Sequence, residues 1–170
     1  MVSVVFLFCI LLPSFCHTNQ KRREFYMTEI HETELLNYIR QNAEAALNGI
    51  DMIENEIENH DLKALVKKQK NDYHSYYAKA DSLLHRQNGT PENMPFIAKM
   101  SATVAGNFKK LTYKDDRDVA KSMIEGTSMG INDLTKHLHE YKGKENETKK
   151  LAENVIAFEE ACIEDLKPYL

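Results

Sequence analysis

Apolar residues recur along this chain at steps of three and four. The first such pattern begins near Glu32 and continues without a break to about His60. This spacing places the apolar side chains on one face of a helix that packs at a shallow angle on its neighbours. A helix is therefore predicted from Glu32 to about His60, with this apolar seam: Leu36, Ile39, Ala43, Ala46, Ile50, Ile53 and Ile57.

A second helix is predicted from Leu62 to about Gln87, after a break at residues 59–61. The sequence NGTP at residues 88–91 combines a turn dipeptide with a proline and predicts a firm end to that helix. Gln69 is the polar interruption of this seam, and we expect it to be buried and to fix the pairing of the helices. The remaining seam positions are Leu62, Val66, Tyr73, Tyr76, Ala80 and Leu83.

Three further helices are predicted in the second half of the chain. A short helix at residues 94–111 serves as a crossover. Asp115 or Asp116 is suited to cap the start of the helix that follows, and Gly143 is suited to cap its end. The last runs from about Glu145 to Leu166. Short loops make sequence neighbours antiparallel. The prediction is an all-α, ferritin-like antiparallel four-helix bundle with an additional short crossover helix.

Composition agrees with one helical domain. The chain has 170 residues with six Gly, four Pro and no Trp, so it can bury a core without metal or disulfide support. The formal net charge is -4, and lysines alternate with acidic residues. Because no basic stripe is present, we expect no nucleic-acid partner.

Residues 1–26 need a separate interpretation, and two remain open. Their apolar run resembles a secretion signal but lacks a preceding positive charge, and it is too short for a membrane span. Alternatively, codons for residues 21–24 could form a ribosome-binding sequence ahead of Met27. Translation would then start at Met27, and residues 27–170 would form a single domain in the cytoplasm. If residues 1–26 are a true signal, the protein is secreted instead.

Cysteine usage favours the cytoplasmic interpretation. Cys9 and Cys16 fall in the doubtful leader, and Cys162 is the only cysteine after it. No disulfide can therefore form within residues 27–170, which suits a reducing compartment.

Two stretches of the second half resemble a known group of proteins. Residues 123–130 (MIEGTSMG), leading into residues 133–137 (DLTKH), and the acidic last helix ending EDLK at residues 164–167 are similar to small bacterial ferritin-like bundles of Firmicutes. The resemblance covers roughly residues 27–170. It implies a ferritin-like fold and a cytoplasmic, sporulation-related setting, with no established activity.

Ferritin-like proteins with di-iron chemistry carry Glu-x-x-His motifs on two helices. None of the seven histidines here has an acidic residue three positions before it, so we expect no catalytic site, cofactor or di-iron centre. Three carboxylates are the remaining metal candidates: Asp72, Glu125 and Glu159. Acidic residues also precede histidines by four positions at Glu56, Asp81 and Asp133, and this spacing is typical of surface pairs.

Gly126 and Gly130 form a Gly-x-x-x-Gly pattern within a helix. Each glycine costs about 1 kcal/mol relative to alanine unless close packing compensates. One interpretation is tight contact with a neighbouring helix of the same bundle. The other is that Gly126, Thr127 and Gly130 line a groove for a partner helix or a second subunit.

These patterns leave three functional hypotheses open. The first is a non-catalytic structural or protein-interaction module that associates with itself or with a partner helix. The second is a degenerate metal-binding ferritin-like protein that uses carboxylates beside the seams. The third is a secreted helical binding protein, which requires residues 1–26 to act as a signal peptide.

Overall fold

The computed structural model describes residues 30–92 and 115–170, and every regular element in these two ranges is helical. Four long helices follow one another as α1, α2, α3 and α4, and short 3-10 turns follow α1 and α4. The all-α prediction is confirmed for this part of the chain. The bounds are α1 Glu32–Ile53, α2 His60–Arg86, α3 Asp116–Glu140 and α4 Asn146–Leu166, with the 3-10 turns at Glu54–Glu56 and Lys167–Tyr169.

The first helix ends earlier than predicted. The α-helix stops at Ile53, and the chain is extended at Ile57 although this residue remains buried. Two contacts explain the early end. The Asp116 carboxylate accepts hydrogen bonds from the backbone amides of Glu58 and Asn59, at 2.9 and 2.8 Å. The Asn59 side chain in turn caps the start of α2.

The end of α2 has the hydrogen bonds of a Schellman motif. The Gly89 amide donates to the Leu84 carbonyl at 2.9 Å, and the Asn88 amide donates to the His85 carbonyl at 3.1 Å. Asn88 adopts a left-handed conformation with φ 53°. The helix end predicted at residues 88–91 is therefore formed by Asn88, which takes the left-handed position that glycine usually occupies.

Asp115 caps α3, since its side chain accepts a hydrogen bond from the Asp118 amide. The prediction that Gly143 caps the other end of this helix is wrong. The helix ends at Glu140, and the amide of Lys142 donates to the Ile30 carbonyl at 2.9 Å. The chain leaves the helix early because it pairs with the backbone that precedes α1.

The contacts between helices define their directions. Helix α1 packs on α2 and on α3, and α4 packs on α3 and on α2. Tyr73 meets Glu159 near the middle of α2 and α4, and Arg86 meets Glu147 at one end, so these two helices are antiparallel. The last residues of α2 lie at this end, whereas Asp116 lies at the opposite end beside Asn59. Helices α2 and α3 are therefore parallel.

The apolar interior consists of two clusters at the two ends of the bundle. One contains Leu35, Ile39, Leu84, Leu134 and Val155 among its members. The other is built from Ile50, Leu62, Val66, Val119 and Leu166 with their neighbours. Residues of all four helices contribute to both clusters, and a polar layer lies between them.

Two predicted segments, the leader at residues 1–26 and the crossover helix at residues 94–111, lie outside the described residues. The choice between a cytoplasmic and a secreted protein therefore stays a prediction. Among the described helices, none combines the length and the apolar character that a membrane span requires.

The left-handed conformation of Asn88 leads to a stability prediction. Alanine is strained at this φ value and glycine is not. We expect Asn88→Ala to lower the free energy of unfolding by about 1 kcal/mol, whereas Asn88→Gly keeps it. Urea denaturation followed by circular dichroism measures the difference. Gln87→Ala, which changes the preceding residue at negative φ, is the control. Equal stability of Asn88→Ala and the native protein would contradict this account of the turn.

Candidate functional site

A carboxyl group lies in the middle of the bundle. Glu159 is only 1% exposed, and it comes from the central turns of α4. Its Oε1 accepts a hydrogen bond from Asn42 Nδ2 at 2.8 Å and another from the Tyr73 hydroxyl at 3.2 Å. Side chains from α1, α2 and α4 thus meet at one carboxyl oxygen.

The fourth helix reaches the same place through a glycine. A Cβ atom added at Gly130 would lie 2.5 Å from Asn42 Oδ1 and 3.3 Å from Glu159 Oε1. The first distance is too short for any real contact, so a side chain at this position would displace Asn42. Gly130 therefore packs inside the bundle against the residues that hold the carboxyl group.

Gly126 has different surroundings, although it lies one turn away. Nothing is within 4 Å of the place where its Cβ would be, and the same holds for Gly49 on α1. Both glycines border a cavity of about 60 Å³ that lies between α1 and α3 and reaches the Glu159 side chain. Its lining is mostly apolar: Asn42, Ala45, Ala46, Gly49, Ile50, Tyr73, Ser122, Met123, Gly126, Thr127 and Glu159.

Burial dominates the electrostatics of this site. Removal from water raises the pKa of Glu159 from 4.5 to about 8, although the hydrogen bonds from Asn42 and Tyr73 oppose the shift. The same loss of water raises the pKa of Tyr73 well above its usual 10, with the nearby Glu159 adding to the rise and a hydrogen bond with Thr127 opposing it. Near neutral pH, Glu159 is therefore mostly a neutral carboxylic acid.

The second oxygen of Glu159 has no hydrogen-bond partner. Oε2 is buried and unpaired, whereas Oε1 has two donors. A buried polar atom without a partner destabilises the fold by about 1–3 kcal/mol. Such atoms are uncommon in folded proteins and mark places where a ligand or a water molecule can bind.

The three metal candidates of the sequence do not form one site. Asp72 on α2 is half-buried, Glu125 on α3 is exposed, and Glu159 is buried. Within residues 30–92 and 115–170, no three His, Cys, Asp or Glu side chains are grouped so that they could hold a metal ion. A di-iron centre uses four carboxylates and two imidazoles. One carboxyl group held by an amide and a phenol does not fit that centre.

The pairs of acidic residues and histidines differ from one another. His60 and His85 are exposed, as expected for surface pairs. The interpretation of His137 as a surface residue is wrong, because its ring is buried and stacks on the Tyr38 ring with centroids 3.4 Å apart. His137 Nε2 lies 3.4 Å from Asp133 Oδ2. This aromatic stack joins α1 to α3 near the Ile30 pairing.

A second polar cluster on α1 was not anticipated from the sequence. Asn37 donates to the Thr90 carbonyl at 3.3 Å and accepts from the Glu92 amide at 3.0 Å. Arg40 and Gln41 both donate to the Glu92 carbonyl, and Arg40 also donates to the Tyr77 hydroxyl. These side chains hold the chain that comes after α2 against the outside of α1. Their signal in the sequence was only a run of polar residues beside the seam.

Gln69 is buried as predicted, and its Nε2 donates to the Cys162 carbonyl at 3.4 Å. It links α2 to α4 about one turn from the Glu159 layer. The Cys162 thiol is buried as well, and loss of water raises its pKa to about 12. A thiol with so high a pKa is a poor nucleophile and belongs to the interior packing.

Comparisons of the chain with protein-family models, with curated proteins and with solved structures found no match.

The buried carboxyl group makes stability depend on pH. The folded protein holds the Glu159 proton more tightly than the unfolded chain does, because the folded pKa is about 8 and the ordinary value is 4.5. This contribution is fully favourable below pH 4.5 and is lost as pH rises toward 8. We expect Glu159→Gln, which cannot ionise, to escape the loss. The stability difference between the variant and the native protein should grow by on the order of 1.4 kcal/mol per pH unit in this window.

Urea denaturation at several pH values measures this difference. Glu160→Gln is the matched control, because it removes the adjacent carboxylate on the exposed side of α4. Parallel pH profiles for native protein and Glu159→Gln would show that Glu159 does not titrate as its burial requires.

The two glycines of α3 should respond in opposite ways to the same change. Gly126→Ala should raise the free energy of unfolding by about 1 kcal/mol, since alanine favours helix and meets open space. Gly130→Ala has the same preference for helix, but its added methyl group clashes with the Asn42 side chain. We expect this variant to lower the free energy of unfolding by about 1–3 kcal/mol. Chemical denaturation of both variants provides the test. Similar effects of the two changes would contradict the close contact at Gly130.

Proposed function

We propose that this chain is a non-catalytic helical bundle with the ferritin-like layout, which acts by binding a second copy of itself. The surface involved is the α1–α3 groove, defined as Ala45, Gly49 and Met52 on α1 with Gly126 and Met129 on α3. The support for this surface comes from where apolar side chains are exposed.

The helix directions support the ferritin-like layout. Ferritin-like bundles have one long crossover connection, which makes the second and third long helices parallel. Helices α2 and α3 are parallel here, and the other sequence neighbours are antiparallel. The resemblance of residues 123–137 to bacterial ferritin-like bundles agrees with this layout and with a sporulation-related role.

The observation that carries the proposal is the position of two methionines. Met52 is 55% exposed and Met129 is 41% exposed, and they are two of the three large apolar side chains exposed within the described ranges. Met52 lies one turn after Gly49, and Met129 lies one turn after Gly126, so both flank the same groove. Methionine is common at protein-binding surfaces because its flexible side chain adapts to a partner.

The positions of Met52 and Met129 at opposite ends of the α1–α3 groove favour a second copy as the partner, because a twofold axis can make such a surface self-complementary. Met52 lies toward the end of α1 that is beside the start of α3, and Met129 lies level with the middle of α1. Under a twofold axis, the same surface on both subunits can pair, with Met52 of each copy packing near Met129 of the other. A non-catalytic role agrees with a buried site that offers one carboxyl group and an inert thiol.

Sedimentation equilibrium tests this function. We expect the native protein to dimerise at concentrations of about 100 μM or below, which corresponds to a modest affinity. The double variant Met52→Lys/Met129→Lys should be monomeric because it places charges in the apolar contact. Leu170→Lys changes the third exposed apolar residue, outside the groove, and should leave the dimer intact. A native protein that stays monomeric, or a dimer that survives the double change, would reject the proposal.

A further inference from the structure

Among the described residues, one oxygen of the Glu159 carboxyl group has no hydrogen-bond partner, and no positive charge lies beside the group in the cavity lining. Oε1 is held by Asn42 and Tyr73, and Oε2 has no partner. None of the described residues that line the adjacent cavity is cationic. When Glu159 is ionised, the site is thus short of one donor and one positive charge at the same place.

The cavity beside this carboxyl group has room for a ligand. A single water molecule needs about 10–15 Å³ of such space, and the cavity offers about 60 Å³. Its walls are largely apolar, from Ala46, Ile50 and Met123, while the Thr127 and Ser122 side chains provide two hydroxyl groups in the lining, that of Thr127 beside Tyr73. Gly49 and Gly126 leave the space between α1 and α3 unfilled.

We propose that this cavity binds a primary alkylammonium group, with its nitrogen at Glu159 and its alkyl chain between Gly49 and Gly126. An ammonium group has three N–H donors and one positive charge. One donor pairs with Glu159 Oε2, and the hydroxyl group of Thr127, which lies in the same lining, can accept another. The alkyl chain is buried against the apolar walls, which favours binding without further polar contacts.

Other ligand classes fit this site less well. A divalent metal ion needs several charged or polar ligands, and Glu159 is the only acidic side chain in the lining as described. An anion would meet an acidic group with no cation beside it. A neutral alcohol could fill the same space, but above about pH 8, where Glu159 ionises, it would leave the carboxylate without a counter-charge.

The titrating groups around the cavity predict how binding depends on pH. Tyr73 from α2 and Cys162 from α4 stay neutral because burial raises the pKa of both. The group that titrates is therefore Glu159, with its pKa at about 8 in the unliganded protein. A bound cation favours the ionised carboxylate, so binding below this pH releases a proton. Affinity should rise as pH increases toward 8 and then level off.

This site does not depend on self-association. The ammonium group is bound inside one bundle, although its alkyl chain lies between Gly49 and Gly126, which the proposed dimer contact also uses, so a second copy would cover this side of the cavity. Binding measured on the Met52→Lys/Met129→Lys variant as well as on the native protein separates the two proposals.

Calorimetric titration with n-butylammonium tests the inference. We expect saturable binding with a dissociation constant on the order of 1 mM, since so small a ligand makes few contacts. n-Butanol, which has the same chain without the charge, should bind more than about tenfold more weakly. Amide chemical shifts of the full chain should change near Gly49, Gly126 and Glu159. An acetylated lysine methylamide tests whether the same group can come from a protein side chain rather than from a free amine.

Two variants and one control decide the outcome. Glu159→Gln should weaken butylammonium binding more than about tenfold while butanol binding is unchanged. Gly126→Leu should block both ligands by filling the cavity from α3, which tests the site even if the glutamine variant folds poorly. Glu160→Gln should bind as the native protein does. The proposal is overturned by equal binding of butanol and butylammonium, by full binding to Glu159→Gln, or by no saturation with butylammonium.

Discussion

The structure depends on the burial of one ionisable side chain among four helices. Glu159 can be accommodated only if Asn42 and Tyr73 reach the same oxygen and if α3 presents no side chain at Gly130. A shift of any helix by one residue would rotate its contribution by about 100° and leave the carboxyl group unpaired. An apolar seam repeats every three to four residues, so a shift of that length brings another apolar side chain to the same place, whereas it would separate Glu159 from its partners. The polar layer therefore fixes the register of the bundle, with Gln69 adding a second constraint between α2 and α4.

The position of this layer explains why the apolar core is divided. One cluster ends at about Ile39 and Val155, and the other begins at about Ala43 and Leu166, so the carboxyl group lies between two regions that exclude water. Both clusters contribute the main free energy of folding through apolar burial. The polar layer lowers that total but selects one arrangement, as isolated polar residues do in helical bundles. The pKa shift of Glu159 results from the loss of water around its carboxyl group, whereas the cavity beside it results from the missing side chains at Gly49 and Gly126.

The three-and-four spacing was sufficient to predict four described helices to within a few residues, except at the end of α1, and it placed Ile39, Val66 and Leu166 correctly in the interior. It could not predict the polar interior. Asn42 and Glu159 each stand one position away from a seam residue. A side chain at such a position is exposed at the edge of a contact between two helices, but it is buried inside a bundle of four. The end of α1 and the end of α3 were missed because each depends on a distant partner, Asp116 in one case and Ile30 in the other.

A buried carboxyl group in a bundle has two ways to avoid an uncompensated charge. It can keep its proton, as the raised pKa of Glu159 requires in the unliganded protein, or it can gain a cation. The number of neighbouring carboxylates decides which cation is suitable. Several carboxylates together favour a multivalent metal ion, because each adds a negative ligand. A single carboxylate with an amide and a phenol leaves a deficit of one charge, which a monovalent ammonium group balances. The open space at Gly49 and Gly126 allows such a group to approach, whereas the close contact at Gly130 keeps the carboxyl group in place.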